Sequence, residues 1–189
     1  MLSVIIATRD SERPLVRTLA ALVPGATSGL ITEVLIADAG SRDDTPVVAD
    51  IAGCKLLAAD EPLGRRLQAA AKAARAPWLL FLRPGIVLDT PWIGEMRSFV
   101  ERPVHDLQAA AVFRRALPAQ SALREAVALL GGAIAARPRP EQGLVIAADF
   151  YHQIGGHSQH APDPERDLLR RIGRRRLARF STRAFRTNT

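Results

Sequence analysis

The stretch Glu33 to Thr45 constrains this chain more than any other. Val34, Leu35, Ile36 and Ala37 form a short apolar run that ends in Asp38, and Gly40-Ser41 turns the chain directly afterwards. An apolar run bounded by turn residues suits a strand buried on both faces of a parallel sheet. Ligands of open α/β sheets bind at the carboxyl ends of the strands, which is where Asp38 falls. Thr45-Pro46 then opens a helix, with Thr45 as the expected N-cap and Pro46 at the first helical position. Asp38 and Ser41 can also be read as residues that only shape the turn.

The rest of the chain repeats this alternation. Leu2 to Ala7 is an expected strand, and Glu12 to Val23 an expected helix with Leu15, Leu19 and Leu22 at helical spacing. Further strands are expected at Cys54 to Ala58 and Trp78 to Leu82, with an alanine-rich helix between them from Gly64 to Ala74. Four strands separated by helices predict an α/β sheet, mostly parallel, flanked by helices. The second half is less regular. Helices are expected over Pro91 to Val100, Ser121 to Ala135 and Pro164 to Arg176, and strands over Leu107 to Phe113 and Gly143 to Ala147. Ala148 to Ile154 reads as a helical turn leading into Gly155-Gly156. With 189 residues and no linker or internal repeat, a single domain over residues 1–189 is expected.

Charge and cysteine usage narrow the partners. The net charge of +7 is almost all arginine, and much of it falls after Pro164. Such a segment can meet an anionic membrane surface or phosphate, or it can be a solvated helix face. Aromatics at 5% give no stacking platform, so nucleic acid is not an expected partner. Cys54 is the single cysteine, which excludes a disulfide framework and implies a reducing compartment. No apolar stretch is long enough to span a bilayer, and Leu2 to Ala7 is too short for a signal peptide. A cytoplasmic protein, peripheral at the membrane if the arginine segment binds lipid, is the expectation.

Several pieces, in order, resemble family 2 glycosyltransferases, nucleotide-diphospho-sugar transferases of the GT-A fold. They are Ser3-Val4-Ile5-Ile6-Ala7-Thr8, Ile36-Ala37-Asp38-Ala39-Gly40-Ser41-Arg42-Asp43-Asp44-Thr45, and Gly64-Arg65-Arg66-Leu67-Gln68-Ala69-Ala70-Ala71. Trp78-Leu79-Leu80-Phe81-Leu82, Glu141-Gln142-Gly143, Gly155-Gly156-His157 and Pro164-Glu165-Arg166-Asp167-Leu168 continue the pattern. The resemblance implies that the chain binds a nucleotide-diphospho-sugar and transfers its sugar to an acceptor. The other reading is a catalytically inactive relative that binds a nucleotide sugar or a protein partner.

The resemblance also implies site residues. Asp38 would accept hydrogen bonds from the nucleotide, since a carboxylate offers only acceptors at neutral pH. Thr8 would line the same pocket. Asp38 is expected to carry little core packing. Arg65 and Arg66 would grip the diphosphate or, equally, be surface charge on a helix. Glu165 would deprotonate the acceptor hydroxyl, although Glu165 and Asp167 can also be read as helix N-terminal acids worth roughly 0.3–1 kcal/mol each. Glu141 is a second acid near the acceptor side. His152, His157 and His160 match no compact ligand spacing and are expected as loop residues over an acceptor pocket.

After the fourth strand the family carries two carboxylates, one residue apart, that hold a divalent cation against the diphosphate. This chain has Arg83 and Gly85 there. The expectation is therefore no metal site and no cofactor, with Arg83 neutralising the diphosphate in a metal-independent transfer.

Overall fold

The computed structural model describes residues 1–102, 109–116 and 137–186. The strands are β1 (Leu2–Thr8), β2 (Ile31–Asp38), β3 (Lys55–Ala58), β4 (Trp78–Leu82), β5 (Ile86–Leu88), β6 (Ala110–Arg115), β7 (Leu144–Ala147) and β8 (Leu177–Arg186). The helices are α1 (Glu12–Thr27), α2 (Thr45–Ile51), α3 (Leu63–Ala73), α4 (Trp92–Val100), α5 (Ala148–Gln153) and α6 (Pro164–Ile172). The strands form one sheet in the order β3-β2-β1-β4-β7-β6-β8-β5.

Sheet polarity changes halfway across. β3, β2, β1 and β4 are mutually parallel, as the alternation predicts. Beyond β4 the sheet is mixed: β7 is antiparallel to both β4 and β6, β8 is parallel to β6, and β5 is antiparallel to β8.

Period-2 alternation splits the core into two layers. Leu2, Val4 and Ile6 of β1 face one cluster with Leu15 and Leu22 of α1 and Trp92, Met96 and Phe99 of α4. Ile5 faces the other, with Leu67 and Ala70 of α3, Tyr151 of α5 and Leu168 of α6. Burying an aliphatic side chain of this kind stabilises by about 1.5–3 kcal/mol.

Several boundaries move for identifiable reasons. Pro24 does not stop α1, which continues to Thr27 with the proline inside its last turns. Gly25 lies against Trp92, where an added Cβ would come within 2.4 Å of the ring. This close packing holds the last turn in place. Thr45 is the first residue of α2 rather than its N-cap. α6 ends at Ile172, and Gly173, with φ 74 and ψ 162, adopts an extended positive-φ conformation that glycine alone takes readily, so Arg174–Arg176 forms a separate 3-10 turn.

β5 and β8 were not expected. The segment 177–186 reads as an arginine-rich tail, yet Phe180, Thr182 and Ala184 are buried at every second position. Glu95 of α4 holds this strand, accepting from the backbone N–H of Ser181 at 2.6 Å and of Thr182 at 2.9 Å and from both hydroxyls. The helix expected over 121–135 lies outside the described residues, as does His105.

Candidate functional site

The carboxyl ends of β1, β2 and β4 carry the expected residues in two groups. In the first, Thr8 Oγ1 donates to Asp38 Oδ1 at 2.7 Å. Ser41 donates to the same carboxylate through its backbone N–H at 2.7 Å and through its hydroxyl. Asp38 is 1% exposed. Burial alone would raise its pKa, but the hydrogen bonds from Ser41, Thr8 and the Gly40 backbone outweigh it and hold the carboxyl below its ordinary value. The expectation of little packing at Asp38 is corrected by this burial and by the donors that converge on it.

The loops beside Asp38 are fastened to each other. Ser41 Oγ accepts from the Asp10 N–H at 2.8 Å, and Asp10 Oδ1 accepts from the Arg42 N–H at 2.7 Å. Thr45 Oγ1 accepts from the Ser11 N–H at 2.8 Å. Arg66 then straps the strand ends, with Nη1 donating to the Thr8 carbonyl at 3.1 Å and to the Ala37 carbonyl. Arg65 joins neither group. It pairs with Glu61 at 2.8 Å on the exposed side of α3.

The second group forms at the end of β4. Arg83 Nε donates to Glu165 Oε2 at 2.9 Å, and Nη2 reaches the same carboxylate. Arg83 Nη1 meets Glu141 Oε1 at 3.1 Å. Desolvation works against the charged guanidinium, yet Glu165, then Glu141 and Asp163, raise its pKa above the usual arginine value. The Arg83 side chain keeps 37% of its surface, so a polar ligand can reach it.

Behind these acids stands a framework that the sequence did not reveal. Arg171 of α6 donates to Asp167 at 2.8 Å, to the Ile154 carbonyl at 2.6 Å and to the Gly156 carbonyl, fixing α6 against the Gly155-Gly156 turn. His157 lies in a loop, as expected, but is buried rather than open over a pocket. It is 1% exposed, packs on Phe81 with ring centroids 4.7 Å apart, and meets the Tyr151 hydroxyl through Nδ1 at 2.9 Å. Burial, aided by the positive charge of Arg171, pushes its pKa down to about 3, so it is neutral at physiological pH. His152 and His160 are exposed.

Gly64 brings the halves together. A Cβ there would lie 2.1 Å from the Ser158 carbonyl oxygen. α3 can approach the loop before α6 this closely only with glycine at that position.

The layers and strand order are those of the GT-A glycosyltransferase architecture. The chain belongs to glycosyl transferase family 2, whose sequence profile matches residues 3–125. Among solved structures it is similar to glucosyl-3-phosphoglycerate synthase from Mycobacterium tuberculosis in complex with Mn2+, UDP and glucosyl-3-phosphoglycerate. The identity is 15% and the TM-score 0.72, over 100% of this chain and 72% of that one. It is similar also to S. aureus TarS 1-349, at 13% identity and a TM-score of 0.73, over 96% of this chain and 59% of that one. A third similar structure is a mycobacterial protein at 18% identity and a TM-score of 0.70, covering 100% of this chain and 68% of that one. No curated protein matches the chain.

These structures correct the expectation that no cofactor takes part. The mycobacterial synthase holds Mn2+ or Mg2+ together with UDP, so a divalent metal is typical of this fold with its nucleotide. The physical reason is the charge of the diphosphate, which a hard cation neutralises. The side chains at positions 83 and 85 do not fit the usual carboxylate pair. Arg83 is a cation bound to two glutamates. Gly85 has a φ of 85, and its N–H donates to Pro14 O at 3.0 Å and Thr18 Oγ1 at 2.9 Å. A metal at this sheet edge needs other ligands than those two positions.

The arginine-rich segment is partly committed to the fold. Arg166 pairs with Asp163, Arg170 with Asp167, and Arg176 lies over the Phe150 ring at 5.4 Å. No helix of the described residues is long and apolar enough to cross a membrane.

Proposed function

We propose that the chain transfers a sugar from a nucleotide-diphospho-sugar to an acceptor hydroxyl, with Glu165 as the base and Arg83 as a contact of the donor diphosphate. The observation that carries this reading is the ion-paired group Arg83, Glu141 and Glu165 at the carboxyl end of β4. Family membership supports the reaction class.

In the ligand-free arrangement the Glu165 carboxylate is held by Arg83, and a carboxylate so held is not free to accept an acceptor's proton. Donor phosphate oxygens compete for the same guanidinium, which binds phosphate in the same forked manner. As Arg83 turns to the diphosphate, Glu165 is released. It then takes the proton of the acceptor hydroxyl, whose oxygen forms a bond to the anomeric carbon. The bond from that carbon to the diphosphate breaks, and the nucleoside diphosphate leaves with the electron pair.

Thr8 and Asp38 form the buried wall beneath the nucleotide, and Arg66 fixes the strand ends that carry it. Because the Asp38 oxygens already accept from Thr8 and Ser41, the nucleotide meets the backbone of the 39–41 turn that Asp38 holds. Arg65 is assigned to the surface pair with Glu61.

The test is turnover of Glu165→Gln, with UDP affinity measured alongside in the presence of Mn2+. General-base removal lowers turnover by about 10²- to 10⁴-fold, while UDP affinity is kept or rises, because Arg83 no longer faces a competing carboxylate at position 165. Unchanged turnover would remove Glu165 from the chemistry. The bidentate hold of Arg83 on Glu165 favours a second reading, an inactive relative that only binds the nucleotide. UDP binding without donor hydrolysis or transfer by the wild type would select it. Contact of Arg170 to Arg179 with an anionic membrane is a separate reading, opposed by the internal pairing of Arg170 and the stacking of Arg176.

A further inference from the structure

We propose that the cavity between α6 and the segment 137–139 binds the phosphate-bearing part of the acceptor. Its assignment to an acceptor rests on the transferase reading above; its anion chemistry does not. The cavity measures about 970 Å³ and is lined by Arg137, Arg139, Arg166, Arg170 and Arg174. Pro138, Pro162, Leu169 and Leu177 supply apolar wall. A volume of this size accommodates a small organic molecule and exceeds the need of a single inorganic ion.

Charge balance points to the ligand. The two aspartates on the lining are already neutralised, Asp163 by Arg166 at 3.1 Å and Asp167 by Arg170 at 2.6 Å and Arg171 at 2.8 Å. Arg137, Arg139 and Arg174 make no ion pair with other described residues. Three exposed arginines on the lining of one cavity, with no carboxylate partner there, make its potential positive and favour an anion. Arginine forks match phosphate oxygens two at a time, which favours a phosphate ester over a neutral sugar hydroxyl.

Position connects the cavity to the chemistry. Asp163 and Arg166 bracket Glu165 at the start of α6. Glu165 thus shares the first turn of α6 with Asp163 and Arg166 of the cavity wall, which places the cavity beside the helix end that carries the Arg83–Glu165 pair.

The experiment uses the full chain and glycerol 3-phosphate as a simple phosphate ester, titrated by calorimetry with and without saturating UDP and Mn2+. Binding is expected in both cases and weakens at least tenfold in Arg137→Gln/Arg139→Gln and in Arg174→Gln, while UDP affinity is unchanged. Inorganic phosphate competes with the ester. Undiminished binding by both variants, complete displacement by UDP, or no binding at low salt overturns the assignment. Phosphatidylglycerol vesicles form the second arm. Sedimentation with vesicles that is lost in the same variants, with no response to glycerol 3-phosphate, assigns the arginines to a lipid surface and also overturns it. If glycerol 3-phosphate binds but no nucleotide does, the cavity stands and the transferase reading fails.

Discussion

At the ends of β1 and β2 the polar side chains are occupied with one another. Thr8, Asp38, Ser41 and Arg66 exchange hydrogen bonds across two strands and two loops, and the carboxylate at their centre is buried. At the end of β4 an arginine and two glutamates pair directly as ions, and Arg83 keeps more than a third of its surface. In one region a buried carboxylate already accepts from Thr8 and Ser41. The other holds its charges in a pairing that a more highly charged ligand can replace. Family resemblance treats both as ligand contacts, whereas under the proposed function they do different work.

The largest stability effect separating the regions comes from acid. The second region rests on a buried neutral base, His157, with Tyr151 and Arg171 around it, whereas the buried titratable group of the first is a carboxylate. His157 titrates near 3 when folded and near 6.5 when unfolded, so the unfolded chain takes up a proton first as pH falls. Stability is complete above pH 6.5 and declines below it, by about 1.4 kcal/mol per pH unit, until the carboxylates join in near pH 4. Urea unfolding at pH 7.5 and 5 should show this loss, and His157→Gln should flatten it. An equal slope in that variant would mean another group is responsible.

Next comes Asp38→Ala, which strips the acceptor from Thr8 and Ser41. Leaving these donors unsatisfied costs about 2–4 kcal/mol, or roughly 6–12 °C in Tm for a chain of this size. A fall of under about 1 °C with complete loss of UDP binding would make Asp38 a ligand contact and not part of the wall.

Arg65→Ala is the smallest. Its exposed pair with Glu61 is worth about 0.3–0.5 kcal/mol, and UDP affinity should stay within about twofold. A tenfold loss of affinity would return Arg65 to the diphosphate and blur the distinction between the regions.

The first four strands could be read from the chain because each centres on a short apolar run closed by turn residues, and their pairing is parallel. The strand Trp78–Leu82 agrees residue for residue. β8 could not be read so easily, since arginines at 179, 183 and 186 mask a period-2 signal carried only by Phe180, Thr182 and Ala184. At the site, sequence placed Thr8, Asp38, Arg83 and Glu165 at strand or helix ends, where the structure also has them. It could not show that Arg83 grips Glu165, because those residues are brought together only by the tertiary fold. Glu141 was visible as a weak motif, and Arg137 and Arg139 as a proline-arginine stretch. Only the cavity they share with α6 gives them a common purpose.

The placement of β8 has a consequence for the order in which the chain acquires its shape. The parallel strands β1 to β4 find all their mutual partners within the first 82 residues. β5 follows β4 by a few residues, yet Ile86 pairs only with Arg186 and Leu88 with Ala184, at the far end of the described chain. Closing so long a loop brings its entropic cost before any pairing contact repays it. During synthesis β5 therefore waits with its edge open until 177–186 emerges. The parallel half is a local folding problem, and the half that includes β5, β6 and β8 is a non-local one.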